Sequence, residues 1–511
     1  MRAHRGFVLD AMLLVAWAAA IGGLWLHERG LLGHGVVNPV TLLRAGLSVE
    51  DNEQWFGVYY QDQQIGYAHS LVIPTELNGM PGVQLVDQGE MAFTLLGQPQ
   101  IIQVRANGFI DADWRLQRFT AGLQSGDYTL QWSGKRVGET LHIRMASGQG
   151  SADSQLYDPT GSAFPAGLVS WTAFHHLKEG QWGKFTLLNP LAVRPDEAFF
   201  YVRRSELVDG QRALVVETEF RGLTTTTWVT PEGEVLRESS PLGWELRRIS
   251  REQAIHTKLD APAVDLLTTT AVPLVAPLPL PEARAHMVWL IEGIRCADVP
   301  TTGAQRPWPE ATLRLSQTPK DPSCVVALDA PALTAEPAGA ALAAPHRRYL
   351  EPSFTVQSDD PRIAAQAHAV IGDATDPWAQ AQALNRWVYH ALSKRLTVGL
   401  PTALDVLVTK AGDCHEHTVL FAALARSRHI PTRLLAGIVA YEGRLFYHAW
   451  PEVWISGRWM PLDPTLGQPV ADTTHLALVE AENEQLVSLA QWIGRLSVRP
   501  LTSEEYAAHG P

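Results

Sequence analysis

Ala411-Gly412-Asp413-Cys414-His415-Glu416-His417 decides how the C-terminal part of the chain is read. Asp413 can accept from the free amides of a helix start, and Glu416 stands three residues on, the spacing of a capping box. That makes Cys414 the first residue of a helix, where unpaired amides and the dipole favour negative charge. A thiol so placed is expected to ionise readily, and the thiolate is the nucleophilic form. The helix ends in Arg426, Arg428 and His429 before Pro431.

Outward from this junction the pattern is α+β. Upstream, Asp376-Pro377 caps a helix whose apolar stripe runs through Leu384, Trp387, Val388, Ala391 and Leu392. Thr402 and Asp405 open a shorter helix with capping-box spacing. Downstream, Leu434–Ala440, Phe446–Ile455 and Trp459–Leu462 read as strands separated by Glu442-Gly443 and Ser456-Gly457. A hairpin at Ser456-Gly457 would set His448 beside Asp463. A thiol nucleophile needs a base, and the base needs an orienting acid, so Cys414, His448 and Asp463 are the candidate catalytic set.

These residues carry a resemblance. Ala411-Gly412-Asp413-Cys414, Tyr447-His448-Ala449-Trp450-Pro451-Glu452-Val453-Trp454 and Trp459 with Pro461-Leu462-Asp463-Pro464-Thr465 stand in the order of the transglutaminase-like superfamily, whose core is similar to that of papain-type cysteine proteases. The resemblance covers residues 350–480 and implies Cys414 as nucleophile, His448 as base and Asp463 as orienting acid. It implies a thiol acyltransferase or hydrolase acting on amide bonds of a protein or peptide through a thioester, with transfer and hydrolysis both open. The Cys414 backbone amide is one oxyanion donor; Trp387 or Tyr389 would supply the second. Trp450 and Trp459 either line the acyl channel or are core aromatics, and His475 is a further candidate beside the set. The mechanism requires no cofactor, and no EF-hand pattern appears. A zinc site from Cys414, His417 and His448 is the chemical rival, but no fourth ligand stands at a standard spacing. The rival of another class is a catalytically inactive binding or assembly protein of the cell envelope with the same fold.

The rest of the 511 residues frames this region. A near-unbroken apolar run from Phe7 to Leu26 follows Arg2, His4 and Arg5. Roughly 20 residues cross a ~30 Å hydrocarbon layer. Residues 7–26 therefore read as a single-pass anchor in the inner membrane, with the bulk periplasmic. The competing reading is a signal peptide cleaved near Ala18-Ala19-Ala20. Residues 50–260 read as an antiparallel β-rich domain able to grip an envelope partner, with a helical segment near Leu168–Leu177. Residues 261–345 read as a Pro/Ala-rich linker with a small β insert, and 481–511 as a C-terminal extension.

A net charge of −12 and a pI near 5.8 leave no basic footprint for nucleic acid. Three cysteines exclude a disulfide scaffold and a tetracysteine metal cluster. Cys296 and Cys324 could pair in an oxidising compartment, and the spacing alone leaves that open.

Overall fold

The computed structural model describes residues 52–505, apart from 163–176, 190–192, 241–242, 257–264, 266–268, 275–277, 279–284, 310–321, 331–343, 397–398, 483–488 and the single residues 96, 114, 127, 160, 400 and 503. The expected anchor at 7–26 lies outside the described residues, as does the helical segment near Leu168 up to residue 176. Among the described residues, no helix is long and apolar enough to cross a membrane. The described residues therefore lend no support to the anchor, the membrane partnership or the single-pass inner-membrane localisation. What stands is an α+β fold with antiparallel sheets and a C-terminal region of helices and strands.

Antiparallel strands dominate the first half. They are β1 (Asn52–Tyr60), β2 (Gln63–Leu77), β3 (Met80–Leu95), β4 (Gln98–Asp111), β5 (Leu116–Ser125), β6 (Tyr128–Val137), β7 (Thr140–Ser147) and β8 (Gly150–Tyr157), then β9 (Trp182–Asn189), β10 (Arg194–Val208), β11 (Gln211–Phe220), β12 (Leu223–Val229), β13 (Val235–Ser239) and β14 (Trp244–Arg248). Each pairs with its sequence neighbour, except that β8 and β9 are the two edges and β1 pairs β14. Alternation sets the faces: on β7, Leu141, Ile143 and Met145 are buried, while His142 and Arg144 between them are exposed. One face therefore builds a core, with Phe200 and Val216 from the second half meeting Leu85 and Leu141 from the first, and the other face is wet. A short helix, α1 (Arg251–His256), follows.

The remaining strands form two smaller sheets and a short pair. β15 (Val272–Pro273), β21 (Thr432–Tyr441), β22 (Arg444–Ile455), β23 (Arg458–Pro461) and β24 (Leu476–Glu480) make a five-stranded sheet. β16 (His286–Glu292), β17 (Gln305–Pro307) and β18 (Ser323–Asp329) make a sheet completed by β25 (Ser497–Pro500), so the C-terminal segment returns to the insert. β19 (Ser393–Lys394) and β20 (Ala411–Gly412) form a short parallel pair. Cys296 and Cys324 are joined by a disulfide.

Four helices pack together beside the five-stranded sheet, two of them directly against its strands β21 and β22. α2 (Pro361–Ile371) and α3 (Pro377–Ala391) begin with proline behind the aspartate caps Asp360 and Asp376. α4 (Ala403–Thr409) carries the Thr402–Asp405 capping box. α5 (Cys414–Ser427) is buried from Glu416 through Arg426, as befits a helix enclosed on all sides. The large sheet docks on the loops leading into α4 and α5. Ser147 Oγ and the Gln149 amide donate to the Asp405 carboxylate at 3.1 and 2.6 Å, and the Tyr128 hydroxyl donates to the Ala411 carbonyl at 3.1 Å.

Candidate functional site

Cys414 opens α5 as its sequence requires. Asp413 Oδ1 accepts from the His415 amide at 2.9 Å, and Glu416 Oε2 accepts from the Asp413 amide at 2.9 Å. His448 lies in β22 directly opposite Gly437 of β21. Asp463 follows β23 in a tight turn, and its Oδ1 accepts from the Thr465 and Leu466 amides at 2.7 and 2.8 Å.

The polar centre is Asp463, fully buried. Its Oδ2 accepts from His448 Nε2 at 2.8 Å and from His475 Nε2 at 3.0 Å. Burial alone would push this carboxyl up. The charges and hydrogen bonds of His448 and His475 outweigh it and hold the group far below the usual range. His475 Nδ1 lies 3.1 Å from Asp472 Oδ1. Burial pulls the His475 imidazolium down, but the hydrogen bonds to Asp463 and Asp472 prevail and raise it to about 9. His475 is therefore a cation held between two carboxylates at neutral pH. It was only a peripheral candidate in the sequence, and Asp472 was missed. Its one sequence signal is its place three residues before His475.

Cys414 is the free cysteine among the described residues. Its sulfur meets the Ala449 backbone amide, and no hydrogen bond among the described residues joins it to His448. Cys414 is only half-buried, yet desolvation of its thiol, then the Asp413 carboxylate, push it above its ordinary value, and the Ala449 amide offsets this only in part. The cluster that does form is His448, Asp463 and His475, with ligand atoms within 4.8 Å of one another. The expected Cys-His-Asp triad is thus corrected to a His-Asp-His cluster. The helix-start effect on Cys414 loses to desolvation and to the flanking acid charges. The thiol acyltransferase or hydrolase activity, with its peptide substrate, is withdrawn with the triad.

The zinc rival set of Cys414, His417 and His448 is not assembled either. His417 Nδ1 is tied to the Asp413 carbonyl at 2.6 Å. In the His-Asp-His cluster the facing ligand atoms are already hydrogen-bonded to each other.

The aromatic candidates separate. Trp450 is buried beside the cluster, its ring 6.2 Å from that of His448 and 5.1 Å from that of His475. Trp459 instead packs on Trp454, Tyr349 and Arg433. Arg433 there donates to the buried Glu452 at 2.7 Å. Trp387 lies under Lys410, and Tyr389 lies under Lys394.

The family model described as the transglutaminase-like superfamily matches residues 364–464, about a fifth of the chain. That match is distant and local, and the fuller identification as a membrane-anchored member with a Cys-His-Asp core is corrected to it. No curated protein matches. Among solved structures, a candidate cysteine protease from Cytophaga hutchinsonii is similar at 16% identity over 42% of this chain and 83% of its own, with a TM-score of 0.30. A β-barrel-like protein of a domain of unknown function from Brucella abortus is similar at 10% identity over 40% of this chain and 96% of its own, with a TM-score of 0.26. At these scores neither likeness carries an argument.

Proposed function

We propose that this chain is a binding or assembly protein in which the region similar to transglutaminases is catalytically inactive. The observation that carries this reading is the fate of the Asp463 carboxylate. It is shared by two imidazoles, while the Cys414 thiol rests on a backbone amide and is held neutral. A nucleophile needs a base in contact and a thiolate within reach of neutral pH. In this reading Cys414, His448, Asp463 and Trp450 form the packed polar centre of the region 350–480. Residues 50–260 grip the partner, 261–345 and 481–511 brace the two, and Trp459 packs within the 350–480 region, apart from the polar centre. The Cys296–Cys324 disulfide supports work in an oxidising compartment.

Alkylation of the intact chain by iodoacetamide across pH 6 to 10 tests it, with adducts located by mass spectrometry. The expected result is slow labelling of Cys414 near neutrality that rises only above the ordinary thiol range. Fast labelling of Cys414 at pH 6 to 7 would overturn the proposal.

A further inference from the structure

The wet face of the large sheet is not flat. Across β4–β8 it is hollowed into a groove of about 710 Å³, and an adjoining hollow of about 570 Å³ extends it to β3. Asn107, Thr120, Ser133 and Arg144 are common to both, so the two hollows form one continuous trough. Neighbouring strands lie ~4.8 Å apart, which makes the trough about 24 Å long across the strands.

Its charge is one-sided. Arg105, Arg118, Lys135, His142 and Arg144 line it, against two acids: Asp153, which pairs with Arg144 at 3.5 Å, and the half-buried Asp87, whose carboxyl is pushed well above its usual range by burial. Arg118 stands directly opposite Lys135, and Lys135 directly opposite His142. Arg118 and Lys135, two cations directly across a strand pair, repel and weaken the sheet. Among the described residues none of these three has an acidic partner. The chain as a whole carries −12, so this row is not the overspill of a basic protein.

The other exposed groups are hydroxyls and amides, among them Asn107, Thr120, Gln131 and Ser133. Phe119 and Trp132 also border it, but Phe119 is buried and Trp132 packs against the core, so apart from His142 the exposed positions offer bases no aromatic platform. Cations in a row, with neutral donors and acceptors between them, suit a chain rich in hydroxyls that carries a negative charge every sugar or two.

We infer that this trough binds a linear anionic polysaccharide, with Arg118, Lys135 and His142 meeting its acidic groups. The inference rests on the reading of the chain as a binding protein and names its ligand class. The site lies on the large sheet, apart from Cys414.

Titration calorimetry of the intact chain with oligogalacturonate tests it, with neutral dextran and single-stranded DNA of matched length as comparisons. Binding of oligogalacturonate that weakens with salt, together with little binding of dextran or DNA, is the expected result. The exposed triple variant Arg118→Gln/Lys135→Gln/His142→Gln, checked for an unchanged melting temperature, should bind at least tenfold more weakly. A variant on another exposed part of the sheet, Lys184→Gln, should bind as the parent does. The inference is overturned if the parent does not bind oligogalacturonate, if the triple variant binds equally well, or if DNA binds as tightly as the saccharide. Alkylation of Cys414 reports separately, so failure here and failure of the inactive-centre reading are told apart.

Discussion

His475 and Asp463 are bound to each other inside the protein, Nε2 to Oδ2 at 3.0 Å, on the same oxygen that takes the hydrogen bond of His448. The pair makes stability depend on pH in a defined direction. His475 is lifted from 6.5 to about 9 on folding, so the stability it contributes is complete below about pH 6.5 and is lost as the pH rises through 9. Asp463 is depressed from 3.8, so its contribution is present above that value and is lost as the pH falls below it. Denaturant unfolding should show a plateau between these limits and a loss on the order of 3 kcal/mol from pH 6.5 to 9. The His475→Gln variant, which carries no charge to lose, should be less stable than the parent at pH 6 and should show little slope above it. An equal slope in parent and variant would remove His475 as its source.

The parts of this centre legible in the sequence are those made within four residues. Asp413 with Glu416, Thr402 with Asp405 and the Asp376-Pro377 start are local hydrogen-bond patterns, and the structure forms each of them. The strands after α5 follow from alternation and turn residues. The sharing of Asp463 does not, because His475 reaches it only once β24 has paired with β21. Arg433 and Glu452, 19 residues apart, meet through the register of β21 and β22. The distance from the Cys414 sulfur to the His448 ring depends on how α5 seats against β22, and no local pattern states that. The pairing of β1 with β14 is likewise a contact across nearly the whole sheet.

Gly437 shows how tightly β24 is seated. A Cβ there would lie 1.9 Å from the Leu476 carbonyl oxygen and 2.9 Å from the Ala477 Cα, both backbone atoms that cannot swing away. Gly437→Ala should therefore push β24 off β21 and cost about 2–3 kcal/mol by overpacking. His475 stands one residue before β24, so the same variant should also flatten the alkaline loss of stability. Urea unfolding at pH 6.5 and 9 measures both effects. A variant as stable as the parent would mean that β24 adapts at little cost.

Asp405 joins the two halves. Its Oδ2 accepts from the Thr402 hydroxyl at 2.7 Å and from Ser147 Oγ at 3.1 Å, and its Oδ1 accepts from the Gln149 amide at 2.6 Å. Asp405→Ala removes the reciprocal arm of the α4 capping box, where Thr402 stays as the N-cap, together with the seat of the β7–β8 turn, and leaves the Thr402, Ser147 and Gln149 donors unpaired. The expected loss is about 3 kcal/mol. Ser147→Ala removes only the contact between the halves and should cost about 1 kcal/mol. If the two variants lost equal stability, the carboxylate's main task would be docking and not capping. Chemical denaturation of both variants alongside the parent decides between these.

The disulfide closes a loop of 28 residues in the sheet that β25 completes. A cross-link of that span removes entropy from the unfolded chain worth roughly 3–4 kcal/mol. The Cys296→Ser/Cys324→Ser variant should lose an amount of this order, and reduction of the parent by dithiothreitol should reproduce it. Ile291 of β16 pairs both Cys324 and Val498, so the loss should spread to the C-terminal strand. Amide exchange should rise at Val498 while Val419 and Leu420 in α5 stay protected. Exchange rising equally in α5 would show that the insert and the helical region unfold as one unit.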